Sequence, residues 1–83
     1  MEMAEFLEAL KAPQSRRILE KLATEDMSIE TLIKKTKFSN QSIQLHLRPL
    51  MESKLVSRSR AGMLKLNRVK FNQIADWFKL ISN

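Results

Sequence analysis

Four side chains between residues 39 and 54 are equipped to read the edges of nucleic-acid bases: Asn40, Gln41, Gln44 and Arg48. Their amides and guanidinium offer paired donors and acceptors, which match adenine and guanine in the major groove of a duplex. On a helix, Gln41, Gln44, Leu45 and Arg48 fall at i, i+3, i+4 and i+7, one continuous face, with Asn40 beside them at its start. A merely solvated face would more usually carry Glu and Lys. From these residues alone the two readings stand even, and the surrounding chain must decide.

The stretch that has to position them reads as a helix with one dry side. Ser39 stands where an N-cap should, its hydroxyl able to accept from the first free backbone N–H groups. Ile43, Leu47 and Leu50 then follow at i, i+4 and i+7, a stripe that faces a core. Pro49 removes the N–H that would bond back to Leu45, so a kink or loosened turn is expected beyond the base-facing residues.

Charge is segregated along the chain. Residues 1–33 hold four bases and seven acids, residues 34–70 hold ten bases against Glu52 alone, and Asp76 and Lys79 cancel beyond, giving a net charge of +6. The cationic half is the half that contains the amide-rich helix. So one-sided a field favours a polyanion, by counterion release and steering.

Composition narrows the alternatives. The chain has 83 residues and no cysteine, so it reads as one domain over residues 1–83, with no disulfide, thiolate metal site or nucleophilic thiol. A domain this small buries roughly 60% of its unfolded surface and gains from a partner subunit. It contains a single glycine and a single histidine, hence no glycine-rich phosphate loop and no histidine-carboxylate spacing; neither an enzyme nor a cofactor is expected. No apolar run approaches the roughly 20 residues of a membrane span. The first residues, Met1-Glu2-Met3-Ala4-Glu5, are acidic where a signal peptide is basic, and the expected location is the cytoplasm.

Read in order, residues 2–11 carry Met3, Phe6, Leu7 and Leu10 at helical spacing opposite Glu2, Glu5 and Glu8. Ala12-Pro13 ends that helix and opens a second, to about Ala23, with Ile18, Leu19 and Leu22 inward. Thr24 to Met27 reads as a polar loop, and Ser28 as the cap of a short helix through about Lys35, with Ile29, Leu32 and Ile33 inward. Thr36-Lys37-Phe38 then turns directly into the 39–54 helix. Two helices joined so tightly form a helix-turn-helix, in which the second enters the groove.

From Leu55 the period changes to that of strands. Residues 55–60 and 63–67 flank Ala61-Gly62 and predict a hairpin, with Gly62 supplying the positive φ. A two-residue loop would pair Arg60 with Met63 and Arg58 with Lys65, putting Arg58, Arg60 and Lys65 on one face and Leu64 and Leu66 on the core side. A basic hairpin directly after a helix-turn-helix is a wing, placed to touch backbone or minor groove.

Asn67 is placed to cap a last helix through about Ile81. Its apolar residues, Phe71, Ile74, Trp77, Phe78, Leu80 and Ile81, cover more than one stripe. That excess suggests burial against a second copy, with Met3, Phe6, Leu7, Leu10, Ile74, Trp77, Phe78 and Ile81 as the dimer interface. The expected architecture is mainly α (α+β): a winged helix-turn-helix of about five helices with a two-stranded β-hairpin wing, dimerising through its terminal helices.

With these elements in place the chain resembles the ArsR/SmtB-like winged-helix transcription regulators of bacteria and archaea. The matching stretches are Ala12 to Leu22, Met27 to Leu32, and most specifically Phe38-Ser39-Asn40-Gln41-Ser42-Ile43-Gln44-Leu45-His46-Leu47-Arg48-Pro49-Leu50 leading into Leu55-Val56. The resemblance implies a homodimer formed by the first and last helices, bound to an inverted-repeat operator and usually repressing transcription. Ala12 stands where the family often has Asp, and the wing is a few residues short. The family's metal-sensing sites use Cys before the recognition helix, or Asp and His on the last helix. Thr31-Leu32-Ile33 and a lone Asp76 cannot assemble either kind. His46 matches the His of the family's recurring His-Leu pair and is expected to make a structural or backbone hydrogen bond, not to bind metal.

The leading expectation is therefore a sequence-specific double-stranded DNA-binding transcription regulator that contacts DNA through Ser39, Asn40, Gln41, Gln44, Leu45, Arg48, Arg58, Arg60 and Lys65. The alternative is a winged-helix protein-protein or RNA-binding module within a larger assembly. Pure protein binding would favour aromatic anchors on the 39–54 helix, and RNA readout favours exposed aromatics, whereas Phe38 and Phe71 are expected inside. An effector between the terminal helices, lined by Trp77 and Phe78, is a third arrangement, which those aromatics fit less well than dimer core.

Overall fold

The computed structural model describes the backbone of residues 10–82 and the side-chain surroundings of residues 10–74 and Asp76. Among the described residues there are four helices and one three-stranded antiparallel sheet: α1 (Pro13–Thr24), β1 (Met27–Ser28), α2 (Ile29–Thr36), α3 (Asn40–Glu52), β2 (Val56–Arg58), β3 (Met63–Leu66) and α4 (Arg68–Ser82). Leu10 and Lys11 are also helical; the rest of the helix expected over residues 2–11 lies outside the described residues. No helix among them is long and apolar enough to cross a membrane.

Local chemistry sets most of the boundaries. Ala12 is extended (φ −66°, ψ 128°), as the residue before a proline must be, and Pro13 begins α1 without a side-chain cap. Ser28 Oγ accepts from Thr31 N at 3.2 Å and caps α2. Lys37 closes α2 in the left-handed region (φ 66°), its N–H donating to Ile33 O at 2.8 Å. Asn67 starts α4, with Oδ1 accepting from Lys70 N at 3.0 Å.

One core gathers a face from every described element. Ile18, Leu19 and Leu22 from α1, Met27 from β1, Leu32 from α2, Ile43, Leu47 and Leu50 from α3, and Val56, Leu64 and Leu66 from the sheet are buried together with Leu10 and Leu55. Phe38, Phe71 and Ile74 pack against it, half-buried.

Two expectations are corrected. Thr24 to Met27 is not a polar loop: α1 runs through Thr24, and Met27 and Ser28 form a strand paired with Leu64 and Met63 on β3. The sheet therefore has three strands in the order β1-β3-β2. The free edge of β3 offers the hydrogen bonds, and Met27 buries its side chain, 2% exposed, beside Leu64.

The hairpin register is also displaced by one residue. Val56 pairs with Leu66, Ser57 with Lys65 and Arg58 with Leu64. The turn has three residues instead of two: Ser59 N donates to Met63 O at 2.9 Å, Gly62 N donates to Ser59 O at 3.0 Å, and Gly62 takes φ +83° as the left-handed bulge residue. Paired residues share a face, so Leu64 and Leu66 face the core as expected, but Arg58 lies on their side while Lys65 lies on the other with Ser57.

Candidate nucleic-acid interface

The orientation of α3 follows from its dry stripe. Ile43 and Leu50 are 0% exposed and Leu47 1%, all three within the common core, and α3 packs on α1, α2 and β2. Truncating such a side chain to alanine costs about 2–5 kcal/mol. Rotation of the helix about its axis is correspondingly resisted, and whatever stands on the opposite face is held outward.

That opposite face carries the residues singled out for base reading. Asn40, Gln41, Gln44, Leu45 and Arg48 are all exposed, and Gln41, Gln44, Leu45 and Arg48 line a shallow open cleft along α3 that continues over Met51 and Glu52. The polar ends of Asn40, Gln41, Gln44 and Arg48 have no hydrogen-bond partner among the described residues, so their donors and acceptors are free for a ligand. Met51 and Glu52 are additions that sequence reasoning missed; they continue the same spacing, at i+10 and i+11 from Gln41.

Ser39 has a different task. Its Oγ accepts from Ser42 N at 3.1 Å and its carbonyl from Ile43 N at 3.0 Å, so it starts the helix. The turn before it is held by Thr36, whose buried hydroxyl donates to Leu32 O at 2.8 Å and accepts from Phe38 N at 3.3 Å. Together these bonds fix where the first turn of α3 emerges.

His46 is half-buried, with Nδ1 2.7 Å from Ser42 O. A carbonyl can only accept, so Nδ1 is the donor, and the ring is tied back along its own helix. Helix α3 continues through Pro49 to Glu52, leaving the Leu45 carbonyl without the N–H it would otherwise receive.

The cations divide into two groups. Arg48, Arg58, Arg60 and Lys65 are exposed, and their side chains have no partner among the described residues. Arg58 and Lys65 occupy opposite faces of the ribbon and Arg60 its turn, so the three do not form the single basic face expected of them. Lys35, Arg68 and Lys70 are instead engaged within the chain, with Glu25 at 3.0 Å, Ala23 O at 2.8 Å and Ser53 O at 2.6 Å.

Of the residues expected at a dimer interface, Leu10 is buried in the chain's own core and Ile74 half-buried against it. Met3, Phe6 and Leu7 and the side chains of Trp77, Phe78 and Ile81 lie outside the described residues. Compared with protein-family models, curated proteins and solved structures, the chain matches none. The functional reading therefore stands on residues and geometry.

Proposed function

We propose that this chain is a sequence-specific duplex-DNA-binding transcription regulator, a winged helix-turn-helix protein whose α3 enters the major groove and whose β2–β3 ribbon lies on the backbone beside it. The observation that carries the reading is the division of α3: three fully packed aliphatic residues on one side, and on the other Asn40, Gln41, Gln44 and Arg48 with unpartnered amide and guanidinium ends. Bidentate contact with adenine and guanine needs those groups, free and projecting from a helix. The excess of cations over residues 34–70 supplies the sequence-independent attraction to phosphate.

Homodimeric repression at an inverted repeat is proposed from the resemblance to ArsR/SmtB-like regulators, with Met3, Phe6, Leu7, Trp77, Phe78 and Ile81 as its apolar seat. Sedimentation would read the dimer directly, and Phe6→Glu is expected to convert it to monomer.

Exposed Leu45 and Met51 give some support to a second reading, a protein- or RNA-contact module. Anisotropy titrations with duplex DNA, duplex RNA and single strands over a range of salt separate the two. Duplex DNA is expected to bind most tightly, with a steep salt slope; equal or better binding to RNA would overturn the DNA reading.

A further inference from the structure

We infer that Leu45 selects thymine, packing its side chain against the 5-methyl group of one thymine in each half-site. The inference rests on the duplex-DNA reading of α3.

Leu45 is 67% exposed and stands in the middle of the cleft, with Gln41 one turn before it and Arg48 one turn after. The core does not need it, since Ile43, Leu47 and Leu50 already fill the buried stripe. Exposure alone decides nothing: Val69 is 71% exposed on α4. At Leu45 the surroundings matter. Gln41, Gln44 and Arg48 present free hydrogen-bonding ends around Leu45, the most exposed apolar side chain of the cleft; Met51 lies further along it at 36% exposure and Leu47 is turned into the core.

The major-groove edges of the base pairs have the complementary pattern. Thymine is the one base that presents an apolar group there, its 5-methyl, beside the N6 donor and N7 acceptor of its adenine partner. An amide from Gln41 or Gln44 can take the adenine while Leu45 covers the methyl. A cytosine at that position carries only hydrogen where the methyl would be, so Leu45 loses its contact, and the guanine partner offers Gln41 or Gln44 an O6 acceptor in place of adenine's N6 donor.

The test uses a duplex selected by the 83-residue chain from a random library, with each thymine replaced singly by deoxyuridine, which pairs identically and lacks only the methyl. At one thymine per half-site, binding should weaken about three- to tenfold. The same replacement should have no effect on Leu45→Ala, whose fold, checked by circular dichroism, should be retained because the side chain is exposed. If the chain binds its selected duplex and no deoxyuridine replacement weakens it, or if the loss persists in Leu45→Ala, the thymine inference is overturned and the DNA reading stands. If no duplex is selected at all, both are overturned.

Discussion

Lys70 Nζ donates to the main-chain carbonyl of Ser53 at 2.6 Å, tying the first turn of α4 to the C-terminal end of α3. The carbonyls at a helix C-terminus lack intrahelical partners and carry the negative end of the helix dipole, so an ammonium there is favoured twice. Asn67 N, donating to Leu55 O at 2.8 Å, reinforces the same junction. Lys70→Met, which keeps the aliphatic stem, is expected to lower stability by about 1–2 kcal/mol. Urea unfolding measures this, and an unchanged midpoint would show that the contact contributes nothing.

Ser15 is 0% exposed, and its hydroxyl has no hydrogen-bond partner among the described residues. An unsatisfied buried hydroxyl is a desolvation cost without return, and alanine is the better helix former. Ser15→Ala should raise stability by about 1 kcal/mol. A fall of comparable size in thermal or urea unfolding would mean that the hydroxyl is satisfied after all.

Helix α3 ends in paired C-terminal bonds, from Leu55 N to Leu50 O and from Lys54 N to Met51 O, both at 3.0 Å, with Lys54 at φ 67°. This is the arrangement in which glycine is the favoured left-handed residue, because a Cβ there meets the carbonyl. Lys54→Gly is expected to stabilise the free protein by about 0.5–1 kcal/mol. Lys37, at φ 66° after α2, should respond similarly. Because the two sites close different helices, the double variant should gain nearly the sum, and unfolding of all three variants checks both size and additivity.

Helices were legible in the sequence wherever a buried stripe and a cap coincided. Ser28, Ser39 and Asn67 each start a helix as their position suggested, and Ile43, Leu47 and Leu50 are inward where their spacing put them. Strand β1 was not legible, because two residues show no alternation and Met27 becomes buried only through pairing with distant Leu64. The hairpin register failed for a related reason. Ala61-Gly62 suits a two-residue turn as well as the last two positions of a three-residue one, and that one-residue slip moves Arg58 and Lys65 to opposite faces. The exposed face of α3 was read correctly because the burial of its opposite side leaves it nowhere else to point.

The last prediction separates base reading from phosphate attraction. Gln44→Ala or Arg48→Ala should weaken binding to a selected duplex by about 1–3 kcal/mol while binding to unrelated duplexes changes far less, because a lost base contact matters only where the matching base is present. Arg60→Ala, at the turn of the ribbon, should weaken binding to every duplex and make the slope of log K against log salt shallower by about 0.9, the release of one counterion. Arg58→Ala and Lys65→Ala should differ in this slope, since a ribbon laid on the backbone by one face presents only one of them to phosphate. Equal losses from the two would mean that the ribbon enters a groove edge-on. If Gln41→Ala, Gln44→Ala and Arg48→Ala combined left the affinity for the selected duplex intact, the contacts assigned to α3 would be wrong, however strongly the chain bound DNA.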